Sequence, residues 1–91
     1  MFSLIQTASF ERALRRFARR HPELREKVAA TFRMLSENPF APSLRLHALS
    51  GDLAGLHAVS ITYTYRITLI LRIIESEIEL VNIGSHDEVY G

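Results

Sequence analysis

The sequence predicts an α+β fold made of an N-terminal strand, an antiparallel two-helix hairpin and a three-stranded antiparallel meander, in the order β-α-α-β-β-β. Three observations lead to this prediction. A short apolar run comes first, two stretches with apolar residues every three to four positions follow, and a long stretch of alternating apolar and polar residues comes last. Helices that precede a run of strands typically pack together on one face of the sheet.

The first predicted strand, residues 2–6, leads into a helix. Thr7 and Ser9 are both candidates to cap this helix, because a side-chain hydroxyl accepts a hydrogen bond from an unpaired N–H of the first turn. One apolar stripe of the helix is formed by Phe10, Ala13, Leu14 and Phe17. The rest of its surface carries five arginines, namely Arg12, Arg15, Arg16, Arg19 and Arg20.

A second helix is predicted to begin at His21-Pro22 and to end at Asn38-Pro39. Proline suits a first helical position, because the N–H that it lacks has no partner there. The apolar stripe of this helix is formed by Leu24, Val28, Phe32 and Leu35. Since only about two residues join the two helices, we expect them to pack as an antiparallel hairpin.

The second half of the chain is predicted to form the sheet, after an irregular segment over residues 39–55. From position 59 to position 73 the odd positions are mostly apolar and the even ones mostly polar, which is the period of a strand with one buried face. Turns near Tyr63–Tyr65 and at Glu75-Ser76 are expected to divide the stretch, and Ile78–Ile83 forms the last strand. The polar face carries Arg66 and is predicted to be free to bind a ligand.

Length and composition exclude several classes of protein. The chain has 91 residues, which predicts a single domain over residues 1–91, and its 47% hydrophobic and 23% charged residues are typical of globular proteins. The absence of cysteine excludes disulfide scaffolds, thiolate zinc sites and cysteine nucleophiles. The sequence contains neither a signal-peptide pattern nor an apolar run long enough for a membrane span, so we expect a cytoplasmic protein that does not bind membranes.

The net charge of +1 conceals an uneven distribution. Residues 1–50 contain nine Arg or Lys against four Asp or Glu, a balance of +5, whereas residues 51–91 contain two against six, a balance of −4. Such a distribution suits a polyanion or an oppositely charged protein partner. The alternative is that these charges only keep the surface of a helix solvated and bind no partner.

His86, Arg66 and Tyr90 are the residues best suited to catalysis. One histidine can move a proton at neutral pH, an arginine can bind the phosphate that gains charge, and a tyrosine can stack on a base or move a proton. This combination is typical of acid–base cleavage of RNA. In the structural alternative, His86 caps the last strand, Arg66 pairs with Glu77 or Glu79 across the sheet, and Tyr90 is a packing residue.

The histidines do not form a recognisable metal motif. His47, His57 and His86 are separated by 10 and 29 positions, spacings that match no standard zinc pattern. We therefore expect no metal and no cofactor. His21 is expected to be a capping or surface residue.

Three segments together resemble a known superfamily: Leu49–His57, Tyr65–Ile67 and Ile83–Tyr90. They are similar to the Leu-x-Gly turn, the Tyr-Arg strand and the Gly-x-His tail of the RelE/ParE toxins of bacterial toxin–antitoxin systems. The resemblance extends over nearly the whole chain, implies a RelE-like fold, and is nearest to the YafQ-type and RelE-type mRNA interferases.

The resemblance also implies roles for individual residues. His86, His47 and Tyr90 occupy the positions of two catalytic histidines and a terminal aromatic residue in YafQ-type members, and Arg66 matches an arginine at the scissile phosphate. The expected RNA-binding residues are His57, Arg45 and Arg72. YafQ-type members have a further histidine and an aspartate where this chain has Ser60 and Thr64.

The function implied is that of a type II toxin that cleaves mRNA on the ribosome, inhibits translation and is held by a cognate antitoxin. ParE-type members share the fold but inhibit DNA gyrase without cleaving RNA, so gyrase is the alternative target. In that case the arginine-rich helices would form the active surface. A further alternative is a degenerate toxin that only binds its antitoxin.

Overall fold

The structure, a computed structural model, describes residues 1–90. In chain order the helices and strands are β1 (Ser3–Gln6), α1 (Ala8–Arg20), α2 (Arg25–Glu37), β2 (His47–Ala48), β3 (His57–Ser60), β4 (Tyr65–Arg72), β5 (Glu77–Ser85) and α3 (His86–Tyr90). This order confirms the predicted α+β fold. It adds two elements that the sequence did not predict, the short strand β2 and the short helix α3. None of these helices is long and apolar enough to cross a membrane.

The predicted helical hairpin forms, but its second helix begins at Arg25 and not at His21-Pro22. Thr7 is the residue that caps α1, because its hydroxyl oxygen accepts a hydrogen bond of 3.1 Å from the N–H of Phe10. After Arg20 the chain enters a 3₁₀ turn over Pro22–Leu24 and continues into α2. His21, at the junction, is half-buried, and its ring lies 4.6 Å from the ring of Tyr65. It is therefore a packing residue.

The five strands form one sheet in the order β1-β5-β4-β3-β2. The strands β3, β4 and β5 form the predicted antiparallel meander, and β2 extends it at one edge. At the other edge β1 pairs with β5 in parallel, with Ser3 beside Glu77 and Gln6 beside Leu80. The connection between β1 and β5 runs through both helices and the strands β2, β3 and β4, and a parallel pair needs a long connection of this kind.

A bulge in β5 determines which side chains face the helices. Thr68 pairs with Asn82 but Leu69 pairs with Leu80, so Val81 is an extra residue in β5. Beyond a bulge the alternation of faces shifts by one residue. The buried side chains of Ile78, Leu80 and Ile83 therefore all face the core, although two of these positions are even-numbered and the third is odd-numbered.

The core lies between the helices and one face of the sheet. The helices contribute Phe10, Ala13, Phe17, Val28 and Leu35. The sheet and the loop before it contribute Leu44, Val59, Ile67, Leu69, Ile78, Leu80 and Ile83. Together these residues exclude water from the helix-facing side, which is the main stabilising contribution in such a fold.

The second face of the sheet is partly covered, contrary to the prediction that it is free. Two rows of paired residues cross it, one through His47, Ala58, Thr68 and Asn82 and one through Ser60, Arg66 and Gly84. A Cβ atom at Gly84 would lie 3.0 Å from the Cβ of Glu88, so α3 packs on this face beside Gly84. The sequence prediction missed α3 because a helix of five residues is too short to show a periodic pattern.

Candidate functional site

Helix α3 begins directly at the end of β5, without an intervening loop. The hydroxyl oxygen of Ser85 accepts a hydrogen bond of 3.3 Å from the N–H of Glu88, and the Glu88 carboxylate accepts one of 2.8 Å from the N–H of Ser85. This reciprocal pair is a capping box, which satisfies two otherwise unpaired N–H groups. His86, the first residue of α3, is therefore held in place by the end of the sheet.

The capping box had a recognisable sequence pattern that the sequence prediction did not use. A serine followed three residues later by a glutamate predicts a helix start, and Ser85 and Glu88 have this spacing. Glu88 also lies 3.3 Å from the guanidinium of Arg20 in α1. Its hydrogen bonds with Ser85, together with the Arg20 charge, hold the pKa of Glu88 below its ordinary value.

His86 is exposed and in contact with Tyr90. The side chain of His86 is 67% exposed, and its ring centroid lies 4.3 Å from that of Tyr90 in an edge-to-face arrangement. The hydroxyl of Tyr90 is buried and has no hydrogen-bond partner within residues 1–90. His86 Nδ1 lies 3.6 Å from the Asp87 carboxylate.

The first of two clefts beside His86, the histidine cleft, contains both candidate catalytic histidines. Its volume is about 490 Å³, and its lining is formed by His47, Ala48, Leu49, Ser50, Asp52, Leu53, His86 and Tyr90. The pairing of β2 with β3 is what brings His47 onto the face that α3 covers. The structure therefore places His47, His86 and Tyr90 in one cleft.

One contact indicates which ring nitrogen carries the proton when His47 is neutral. His47 Nδ1 lies 2.9 Å from the carbonyl oxygen of Arg45. A carbonyl oxygen only accepts hydrogen bonds, so Nδ1 carries the proton and donates it. Nε2 then has a free lone pair and is able to accept a proton.

The second cleft, the arginine cleft, lies on the other side of His86. Its volume is about 400 Å³, and its lining is formed by Tyr63, Thr64, Arg66, Ser85, His86 and Asp87. The Arg66 guanidinium donates to the carbonyl oxygens of Tyr63 at 3.2 Å and Thr62 at 3.4 Å. No carboxylate within residues 1–90 forms an ion pair with Arg66, so its positive charge is available to an anion.

Comparison with known proteins gives the family. A family model described as the bacterial toxin of type II toxin–antitoxin systems, YafQ, matches residues 3–91. The chain belongs to this family. No curated protein sequence matches it.

Solved structures similar to this YafQ-family toxin cover all or nearly all of its length. YafQ from E. coli strain BL21(DE3) superimposes with a TM-score of 0.81 at 13% identity and 100% coverage of both chains. A YoeB/ParE toxin from Agrobacterium tumefaciens gives 0.76 at 24% identity, covering 93% of this chain and 99% of its own. YafQ in the E. coli DinJ–YafQ complex gives 0.79 at 13% identity, again with 100% of both chains. Because these identities are below 25%, the superpositions establish a shared fold.

Two of the residues expected to bind RNA lie away from His86 in this YafQ-family toxin. His57 pairs with Leu69 and shares the helix-facing side of the sheet with Val59, and its Nδ1 is buried without a partner within residues 1–90. Arg72 lies at the far end of β4 from Arg66, about 20 Å away for six strand residues. It forms an ion pair of 3.0 Å with Glu79.

The remaining candidates lie close to Arg66. Arg45 lines a third cleft together with Arg66. Ser60 accepts a hydrogen bond of 3.4 Å from the Arg66 guanidinium, and Thr64 lines the arginine cleft. These two residues thus add hydroxyl groups where other YafQ-type members are expected to have an imidazole and a carboxylate.

The described residues do not assemble a metal site. Within residues 1–90 no three side chains of the His, Asp and Glu type come together in a geometry that could hold a metal ion.

Proposed function

We propose that this YafQ-family toxin, a single domain over residues 1–91, is an endoribonuclease that cleaves mRNA on the ribosome in the cytoplasm. The observation that carries the proposal is the position of His86 between two clefts. One cleft contributes a second imidazole and the other a guanidinium with no carboxylate partner. Two proton-transfer groups and one cation are the set that phosphodiester cleavage through the 2′-hydroxyl requires.

The proposed reaction divides the proton transfers between the histidines. His47 Nε2 takes the proton of the ribose 2′-hydroxyl, and the 2′-oxygen attacks the adjacent phosphorus. The bond from phosphorus to the 5′-oxygen breaks, and His86 delivers a proton to this leaving oxygen. The products are a 2′,3′-cyclic phosphate and a 5′-hydroxyl. The reaction needs no metal, because the attacking and leaving groups both belong to the RNA.

Arg66 and Tyr90 support these steps in the proposal. The guanidinium of Arg66 binds the non-bridging phosphate oxygens, whose charge increases in the transition state. The edge-to-face contact with Tyr90 fixes the orientation of the His86 ring. The site is open and shallow, so we assign to the ribosome the task of holding the mRNA in the reactive geometry.

An antitoxin is the second partner that we propose. The similar E. coli YafQ is found in a toxin–antitoxin complex with DinJ. In the present toxin an apolar groove of about 230 Å³ runs between α1 and α2, lined by Leu14, Phe17, Ala18, His21, Arg25, Val28, Ala29 and Phe32. Exposed arginines of α1 lie on the same helical layer, so we propose that an acidic amphipathic helix of the antitoxin binds this groove.

Primer extension on mRNA in a reconstituted translation reaction tests the nuclease. We expect discrete cuts that require translating ribosomes, and we expect His86→Ala to reduce cutting at least 100-fold, in line with loss of a general acid. Glu75→Ala, a change in the exposed turn after β4, is the matched control and should cut like the unchanged protein. A His86→Ala variant that cuts normally would contradict the proposal.

The same assay distinguishes gyrase inhibition, which the exposed arginine surface of α1 favours. An inhibitor would produce no cuts at a dose that stops growth. Its toxicity would then be lost in Arg12→Ala, Arg16→Ala or Arg19→Ala and not in His86→Ala. A degenerate toxin would neither cut mRNA nor stop growth, yet would still bind its antitoxin.

A further inference from the structure

An aromatic side chain outside the expected set lies at the rim of the site. Tyr63 is 89% exposed and lies in the turn between β3 and β4. It lines the arginine cleft, which it shares with His86, and also the third cleft, which it shares with Arg45. Of the other residues among 1–90, Arg66 alone lines both clefts, so Tyr63 and Arg66 lie between them.

The turn that carries Tyr63 is held rigidly by its own hydrogen bonds. The hydroxyl oxygen of Thr62 accepts from the N–H groups of Thr64 and Tyr65, both at 3.2 Å. The guanidinium of Arg66 donates to the carbonyl oxygens of Thr62 and Tyr63. These contacts order the backbone at Tyr63 before a ligand binds, so the entropy cost of contact falls mainly on the rotamers of the Tyr63 ring.

The third cleft, the Arg45 cleft, has the composition of a phosphate site. Its volume is about 230 Å³, and its lining is formed by Ser43, Arg45, Ser60, Ile61, Thr62, Tyr63 and Arg66. Among residues 1–90, two guanidinium groups and four hydroxyl groups line it, one of them the phenol of Tyr63, and no carboxylate does. Arginine and hydroxyl side chains are the groups that most often bind the backbone of nucleic acids.

We infer that Tyr63 is a stacking platform for the base of a nucleotide next to the scissile phosphate, and that the Arg45 cleft binds the neighbouring phosphate of that nucleotide. Single-stranded RNA is typically recognised by stacking of splayed bases on exposed aromatic rings, with cations along the backbone. The inference rests on the proposed nuclease function and extends the RNA path from the arginine cleft past Tyr63.

Substitution of Tyr63 tests the platform. Tyr63→Ala should raise the toxin concentration needed for half-maximal cutting on translating ribosomes about tenfold, the effect expected for the loss of one base-stacking contact. Tyr63→Phe keeps the ring and should cut like the unchanged toxin. Ile74→Ala, which removes a 97% exposed side chain from the turn between β4 and β5, is the matched control and should have no effect.

The outcomes separate this inference from the proposed function. If the unchanged toxin cuts, His86→Ala does not and Tyr63→Ala cuts normally, the nuclease stands and the platform is wrong. If Tyr63→Phe is as impaired as Tyr63→Ala, the hydroxyl acts and stacking is wrong. If Tyr63→Ala cuts normally but loses antitoxin binding, the surface binds protein and not RNA.

A binding measurement covers the case in which the unchanged toxin does not cut. A fluorescently labelled single-stranded RNA hexanucleotide is then titrated with the unchanged toxin, Tyr63→Ala and Ile74→Ala. About tenfold weaker binding by Tyr63→Ala alone supports the platform without the nuclease. Equal binding by all three proteins, or no binding by any of them, overturns the platform.

Discussion

Glu88 connects three parts of the molecule through one carboxylate. Glu88 belongs to α3, and its carboxylate accepts a hydrogen bond from the N–H of Ser85 at the end of β5. The same carboxylate lies 3.3 Å from the guanidinium of Arg20 at the end of α1. The ionised form makes these contacts best, which explains the lowered pKa of Glu88. The position of His86 therefore depends on a carboxylate that is not itself a catalytic group.

The lowered pKa of Glu88 predicts how stability depends on pH. A carboxylate whose pKa is lower in the folded than in the unfolded state stabilises the fold fully above its ordinary value of 4.5. This contribution is lost as the pH falls below that value and through the folded-state pKa. We therefore expect Glu88→Gln to lower stability at neutral pH and to reduce the additional loss on acidification, as measured by urea unfolding from about pH 7 to about pH 3.

The control for this prediction is Glu75→Gln, which removes an exposed carboxylate from the turn after β4. It should leave the pH dependence of stability almost unchanged. If Glu88→Gln has the same stability profile as the unchanged protein at every pH, the capping box does not stabilise the folded state.

The residues of the site were predictable to different degrees. His47, His86 and Tyr90 were grouped by family resemblance, and the structure places them in one cleft. His57 was expected to bind RNA beside them, but it pairs with Leu69 on the other side of the sheet. The register of β3 against β4 decides the face of His57, and register depends on tertiary pairing that a single sequence does not give.

At the scale of elements, the junction between β5 and α3 depends on the absence of a side chain at position 84. A Cβ atom added to Gly84 would lie 3.0 Å from both the Cβ and the Oε1 of Glu88. The Cβ of Glu88 is attached directly to the backbone of α3, so it cannot move without the helix. Glycine is needed here because a helix packs directly on a strand.

Gly84→Ala is therefore expected to displace α3. Overpacking of this kind costs about 1–3 kcal/mol of stability. Cutting of mRNA should fall further than the lost stability explains, because His86 and Tyr90 move away from Arg66 and His47. The measurements are the unfolding temperature and the primer-extension assay, both made on the same preparation.

Gly55→Ala is the matched control for Gly84→Ala. A Cβ atom there would meet nothing within 4 Å, but the backbone has φ of +98°, which strains any residue other than glycine. It should therefore lose stability while it keeps its cutting activity at low temperature. Equal loss of cutting in both variants would indicate that stability, and not the placement of α3, limits activity.

The elements that the sequence predicted are those with a clear periodicity. The helices and the strands β3 and β4 place their large apolar side chains on the side that faces the core, so these residues recur with a fixed period. The strand β2 has two residues and α3 has five, which is too short for any period. The bulge at Val81 changes the alternation in the middle of β5, and its position is set by the pairing with β4.

At the scale of the whole molecule, the sheet separates two surfaces with different properties. The helical layer carries the arginines of α1 and the apolar groove, whereas the opposite face carries the three clefts around His86 and Arg66. The excess of positive charge in residues 1–50 is thus concentrated mainly on the helical side. In our proposals an antitoxin helix and an RNA strand bind opposite sides of the sheet.

Ala29→Glu tests this separation. Ala29 is exposed and lines the groove between α1 and α2, so a glutamate there adds bulk and a negative charge against an acidic antitoxin helix. We expect at least tenfold weaker antitoxin binding, as measured by isothermal titration calorimetry, and unchanged cutting of mRNA. Ala8→Glu, at the exposed start of α1, is the control and should bind the antitoxin normally. Normal antitoxin binding by Ala29→Glu would place the antitoxin elsewhere.

The pairing of β1 with β5 has a consequence for the order of folding. Ser3 lies beside Glu77, so the two strands cannot meet until almost the whole chain has been synthesised. The helices and the hairpin of β3 and β4 rest on local contacts and can form earlier, whereas closure of a contact across so long a loop is slow. The end of β5 also carries α3 and His86. The proposed site around His86 is therefore complete only after the last residues have been synthesised, whereas the helical layer, where we propose that the antitoxin binds, lies earlier in the chain.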